Sequence, residues 1–258
     1  MSIVFRKFLV IMLFLSLTVQ YSVFAQDDIS DLKKEIDELR HEQKELHAFL
    51  KQFKELLQKR RMPDPPQVNV QDVEFELGNN PAKGSDTAPL VLIEFSDYQC
   101  SFCAKHTKET YPELYERYIK TDKLRYVVID KPLSIHNMAD EAAEAAHCAD
   151  EQGKFWEIHK EIMDNPVTIN DLNSLALSLN LDVDKFENCI VTKRYAPKVA
   201  SNISLSNKLN IAVTPGFIIA SSYPGNPQKV KGIDFIPGAK PFEYFQKNID
   251  AALARVNK

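Results

Sequence analysis

The sequence predicts a mixed α/β protein whose sheet is interrupted by a helical insertion, and three stretches carry that expectation. Pro89 to Phe95 is a run of mainly apolar residues, as a central strand buried on both faces requires. Residues 137–209 hold several helical patterns and no good strand. Strand character then returns at Val213–Ala220 and Lys229–Ile233, and Lys240–Val256 closes the chain as an amphipathic helix. The order is βαβ, a helical block, then ββα, which makes one mixed sheet with an insertion.

Before this domain the chain has a different character. Arg6 and Lys7 give a positive start, Phe8–Val19 is mostly apolar, and Val23-Phe24-Ala25 ends in a small residue. This is the layout of a secretory signal peptide over residues 1–25, cleaved near Ala25, with an apolar core short for a membrane span. An uncleaved N-terminal anchor is the alternative. Loss of Arg6 and Lys7 takes the net charge from −4 to −6. The expected location is the periplasm, where persistent disulfides are chemically reasonable.

Residues 26–61 read as a heptad helix. From 27 to 61 there are 18 charged residues, nine of each sign, and no Gly or Pro. Ile29, Ile36, Gln43, Leu50 and Leu57 occupy a sites, and Leu32, Leu39, Leu46 and Phe53 occupy d sites. Glu35 and Glu42 at g face Arg40 and His47 at the following e of a parallel neighbour. A stripe this narrow, flanked by this much charge, predicts a homo-oligomer, dimer or trimer, through residues 27–61. A single amphipathic helix folded back on the domain is the competing reading. Met62-Pro63-Asp64-Pro65-Pro66 stops the helix and opens a stiff spacer over residues 62–71. The globular domain spans 72–258, with the insertion at about 134–209.

Within that domain, Val73–Leu77 alternates as a short strand and Asn79–Pro89 is a loop. Ala104–Lys120 follows the central strand as a helix kinked at Pro112, and Leu124–Ile129 is the next strand, with β-branched Val127, Val128 and Ile129. Breaks in the helical block fall at Gly153, near Pro166 and around Asn180-Leu181.

Composition excludes several functions. A chain of net charge −4 has no electrostatic footprint for general nucleic-acid or anionic-membrane binding. With 7 Gly it carries no phosphate-cradling loop, and it has neither G-x-S-x-G nor H-E-x-x-H.

The informative motif is Cys100-Ser101-Phe102-Cys103, at the junction of the central strand and the next helix. A helix N-terminus favours a thiolate at Cys100, and Cys103, about one turn on, can resolve a mixed disulfide. Half of a zinc site would need a second ligand pair, which Cys148, Cys189 and His106 do not supply at suitable spacing; no metal and no cofactor is expected. An inert disulfide within C-x-x-C is the other bland possibility. Glu94 is the only ionisable residue in the apolar run, six positions before Cys100. Buried there it would have a raised pKa and could hold a proton for Cys103, whereas on an edge it would simply face water. Thr214-Pro215 places a proline just inside a strand, a candidate for a cis bond, though a trans proline at a strand entrance is the plainer reading.

Three segments together resemble the DsbA-like thioredoxin-fold family of exported thiol-disulfide oxidoreductases. They are Glu94-Phe-Ser-Asp-Tyr-Gln-Cys-Ser-Phe-Cys103, Ala-His-Cys148-Ala-Asp-Glu-Gln-Gly-Lys-Phe-Trp156-Glu-Ile-His159, and Val-Thr-Pro215-Gly-Phe, within about residues 72–256. The resemblance implies a thioredoxin fold with a helical insertion. It assigns Cys100 as nucleophile, Cys103 as resolving cysteine, Glu94 as the buried acid and Pro215 as the cis-proline, with Val213 and Thr214 pairing to substrate peptide. It also implies a structural disulfide between Cys148 and Cys189; two buried free thiols are the alternative. Its partners would be exported client proteins and a membrane redox partner that resets the pair.

Two features depart from the family's strongly oxidising members. The dipeptide is Ser101-Phe102 where those members carry a His, and the heptad helix is an appendage typical of isomerases. The resulting expectation is a periplasmic protein-disulfide oxidoreductase or isomerase. A non-enzymatic oligomeric binding protein and a soft-metal thiol site are the rivals. His136 could approach the active site or sit in a surface loop, Phe155, Trp156 and His159 read as core, and Lys105 and Lys108 could favour the thiolate but read as solvated.

Overall fold

A computed structural model describes residues 32–55 and 68–256. The signal-peptide segment, the heptad positions Ile29 and Leu57, and most of the proline-rich spacer lie outside the described residues. The chain divides into two compact units, Met1–Asp64 and Pro65–Lys258.

In the first unit, α1 (residues 32–55) is a continuous helix with every described side chain exposed. Leu32, Ile36, Leu39, Leu46, Leu50 and Phe53 form its apolar stripe, between 40% and 60% exposed. Phe49 stacks on Phe53, one turn on, with ring centroids 6.2 Å apart.

The second unit is built on one six-stranded sheet: β1 (Glu74–Glu76), β2 (Ala82–Lys83), β3 (Leu90–Ser96), β4 (Leu124–Asp130), β5 (Gly216–Tyr223) and β6 (Asn226–Pro237). Their spatial order is β1-β6-β5-β3-β4-β2. β3 is central, parallel to β4 and antiparallel to β5, and all seven of its residues are buried. The period-two alternation of a strand divides them between two cores. Val91, Ile93 and Phe95 pack with Val127, Ile129, Ile218 and Leu209. Leu90 and Leu92 join Ala146, Phe155, Phe186 and Phe245 in the core shared with the helices. Glu94 has the parity of Leu90 and Leu92, so its carboxyl enters that helical core.

The helices are α2 (Ser101–Glu109), α3 (Tyr111–Leu114), α4 (Ala139–Asp150), α5 (Phe155–Asp164), α6 (Leu172–Ser178), α7 (Val183–Val191), α8 (Ala196–Lys208) and α9 (Phe242–Val256). This is a thioredoxin-type sheet with α4–α8 inserted between β4 and β5. Ala-rich α4 is buried along most of its length because its small side chains let neighbouring helices approach closely. It also leads into α5 across Gly153, whose φ of 71° is a conformation glycine adopts without steric cost.

Several boundaries differ from expectation. The helix expected over Ala104–Lys120 starts at Ser101 and breaks at Thr110, two residues before Pro112. Pro112 lacks an N–H and starts a new turn at the head of α3, and residues Tyr115–Ile119 then continue as a π-helix. The loop Asn79–Pro89 contains β2, which pairs with β4 through only two residues and leaves no periodic signature. The strand expected from Val213 begins at Gly216, because Pro215 has no N–H for the ladder. Val213 and Thr214 therefore precede the strand. Gly216 is required there, since a Cβ would lie 2.9 Å from the Ile211 side chain and 3.1 Å from the Val213 carbonyl oxygen.

Candidate active site

Cys100 and Cys103 are free thiols at the head of α2. A short turn leads from β3 to Cys100, whose N–H donates to the Asp97 carbonyl at 3.1 Å. Cys100 is the N-cap residue, in extended conformation, and no side chain caps the helix. The first N–H groups of α2 are therefore free to face the sulfur, and those of Phe102 and Cys103 do so. The Cys100 thiol is held down at about 5. The Cys103 thiol contributes most by hydrogen bonding to it, and the Thr214 side chain and these backbone groups add to the effect against desolvation. In the protonated form Cys100 Sγ–H donates to the Thr214 carbonyl at 3.3 Å. The Thr214 hydroxyl is buried without a hydrogen-bond partner among the described residues. Cys103 is fully buried, and desolvation, Cys100 and Glu94 push its thiol up.

Beneath the cysteines lies Glu94, fully buried in the central strand. Desolvation raises its carboxyl to about 7, against hydrogen bonds from Tyr126 and Ser96 that favour the ionised form. Ser96 Oγ donates at 2.9 Å, and the Tyr126 hydroxyl makes a short bond to the other carboxyl oxygen. Tyr126 also lies 3.2 Å from His106 Nε2. His106 is buried among Phe217, Phe245 and Tyr126, and desolvation depresses it to about 3, so the ring is neutral. Neither Tyr126 nor His106 was expected at the site. The available signal was a tyrosine in a buried strand, because a buried phenol requires a partner.

Thr214–Pro215 is a cis peptide bond. It brings Thr214 against Cys100, and Val213 stands 42% exposed beside it. Cys100, Phe102, Ile135, His136, Val213 and Thr214 line a groove of about 770 Å³. Phe102 and Ile135 are largely exposed there, at 61% and 80%. His136 is fixed by Asp97, a buried residue whose Oδ2 lies 2.8 Å from Nδ1 and also accepts from the Leu133 N–H at 2.7 Å. That contact leaves Nε2 as the ring nitrogen without a protein partner.

The structure thus brings together Cys100, Cys103, Glu94, Val213, Thr214 and Pro215. Cys148 and Cys189 are elsewhere, joined by a disulfide between α4 and α7. His159 is a buried core residue bonded to the Tyr98 hydroxyl at 3.1 Å and packed on Phe155. Among the described residues no group of His, Cys, Asp and Glu is arranged to hold a metal, and no helix is long and apolar enough to cross a membrane.

A family model described as thioredoxin matches residues 76–235. Among solved structures, alpha-DsbA1 of Wolbachia pipientis is 28% identical with a TM-score of 0.59, over 70% of this chain and 94% of that one. Oxidised BdbD of Bacillus subtilis has a TM-score of 0.60 over 72% and 99% of the two chains; at 19% identity it speaks for the fold alone. A curated relative, the Na(+)/H(+) antiporter NhaA 3 of Salinispora tropica, is 29% identical over 154 residues, 58% of this chain and 23% of that protein. The chain therefore spans about a quarter of the length of such relatives.

Proposed function

The chain belongs to the thioredoxin family, and on that premise we propose that it is an exported protein thiol-disulfide oxidoreductase acting through Cys100 and Cys103. The observation that carries this reading is the asymmetry of the pair: one thiol is held at about 5 at a groove, and the other is buried and pushed up.

In the oxidising direction, a client thiolate attacks Cys100 Sγ of the Cys100–Cys103 disulfide. A client–Cys100 bond forms, the Cys100–Cys103 bond breaks, and the electron pair leaves on Cys103. Glu94, poised near neutrality, supplies the proton that Cys103 then holds. The client's second thiolate displaces Cys100, which leaves as a stable thiolate, so the client is oxidised and the pair reduced. His136, held by Asp97, lines the groove in which the client docks. In the isomerising direction the Cys100 thiolate attacks a wrong client disulfide and is later expelled. Val213 and Thr214 offer main-chain groups to an extended client, which suits broad specificity. The Phe102 side chain has no donor for the thiolate, so its stabilisation rests on Cys103, Thr214 and the N–H groups of the helix N-terminus, that of Phe102 among them.

We further assign residues 1–25 to a signal peptide, residues 26–61 to homo-oligomerisation, and recycling to a membrane redox partner. Support comes from the charge and apolar layout of the leader and from the uncovered stripe on α1. Insulin reduction and scrambled-RNase refolding test the chemistry: Cys100→Ser is expected to abolish both, and unchanged rates would sink the proposal. Deleting residues 27–61 is expected to give a monomer with impaired isomerisation, read by light scattering and RNase refolding.

A further inference from the structure

A second cavity, of about 490 Å³, opens between the α2–α3 junction and α5. Its size and the cluster of Tyr and Trp side chains in its lining are those of a small-molecule site. Tyr111 and Trp156 present rings within 10° of parallel, with centroids 6.3 Å apart. Tyr126 joins them, its ring centroid 4.9 Å from that of Tyr111.

The charges around this cavity do not cancel. Two carboxylates line it, and each already has its own lysine: Glu116 accepts from Lys120 at 2.9 Å, and Asp164 is paired with Lys160. Two lysines are left over. Lys83 Nζ sits 5.3 Å from the Trp156 ring centroid, and Lys108 Nζ donates only to the Asp164 main-chain oxygen at 2.9 Å. Among the described residues, no carboxylate lies within 4 Å of either ammonium group. Glu157 feels the charge of Lys83 without contacting it, so flat apolar walls with two cations at the rim, neither in contact with a carboxylate, call for a flat apolar ligand bearing a negative group.

We infer that this cavity binds a planar aromatic carboxylate, with the rings against Tyr111 and Trp156 and the carboxylate between Lys83 and Lys108. Tyr126 links the site to the redox centre, since the same side chain lines the cavity and bonds Glu94. The inference does not depend on the thiol chemistry, so its test can fail or succeed with that reading intact.

The chain has one Trp, so Trp156 gives a single indole N–H resonance that reports the cavity directly. The full-length protein is titrated with 2-naphthoate and, as a neutral isostere, 2-naphthalenemethanol. A saturable indole shift is expected, with naphthoate about tenfold tighter than the alcohol, and with the two brought within about twofold of each other in Lys83→Ala/Lys108→Ala. No saturable shift up to about 5 mM naphthoate would overturn the inference, as would equal affinity for both probes or a charge preference that survives the double variant. An indole shift that follows protein concentration without any probe would assign the cavity to a second copy of the chain, and would equally overturn it.

Discussion

The two cysteine pairs of this molecule share an element and differ in almost everything else. Cys148 and Cys189 sit in the last turns of α4 and α7, each 1% exposed, and their disulfide is packed among apolar side chains. Cys100 sits at a helix N-terminus on a groove and bonds to the residue before a cis-proline, with Cys103 buried behind it. A cysteine in the last turn of a helix has its N–H neighbours committed to the helix ladder and only carbonyls left free, so nothing remains to hold a thiolate. A cysteine at the N-cap meets N–H groups with no helical partner. Position along the helix, rather than burial alone, separates a redox pair from a staple.

That contrast is broken most sharply by Cys100→Ser, which should lower disulfide exchange by at least about a thousandfold, measured as insulin reduction. The matched change, Cys148→Ala with Cys189→Ala, should leave exchange per folded molecule within about twofold. Its cost is to stability, roughly 3–4 kcal/mol by loop-closure arithmetic, read from denaturant midpoints. A large loss of activity in folded double variant would erase the distinction. Cys103→Ser should retain the first attack and accumulate mixed disulfides with clients, visible on non-reducing gels, with turnover reduced about a hundredfold.

Glu94→Gln tests what lies beneath the reactive pair. Deprotonation of Cys103 for its attack on a client–Cys100 bond should slow about tenfold, measured as resolution of a trapped mixed disulfide. The stability effect has a definite sign. A carboxyl raised to about 7 by burial costs stability as pH rises above its unfolded value, and the cost reaches its full size above pH 7. The variant should therefore gain about 3 kcal/mol relative to wild type at pH 8 and nothing at pH 4. The Cys100 contribution runs the other way. Its thiolate stabilises the reduced fold above the unfolded thiol value, and that benefit is lost as pH falls through about 5. Thiolate absorbance of the reduced protein should titrate there, the smallest of these signals and the most direct.

Much of this architecture is legible in the sequence. The apolar run around Glu94, the C-x-x-C, the strandless insertion and the closing helix are local patterns with strong periodicity, and they appear where expected. Glu94 stood out because a charge in a doubly buried strand is costly enough to need a reason. The misses share a different cause. β2 is two residues long, and Tyr126 and His106 acquire meaning only once β4 and α2 are laid against β3. Asp97 and His136 are 39 positions apart and meet across two loops, so no spacing rule finds them. Pairings of that kind are written in tertiary contacts.

The same long separations set an order of assembly. The staple closes a stretch of 41 residues lying wholly within the insertion, whereas Cys100 must wait for Thr214, 114 positions downstream. Loop entropy makes the second closure costlier by about 0.9 kcal/mol. It also requires β5 to dock antiparallel beside β3, a non-local pairing that forms late. The insertion can therefore be sealed while Cys100 still lacks its Thr214 contact, and the full environment of the reactive thiol is completed among the last steps of folding.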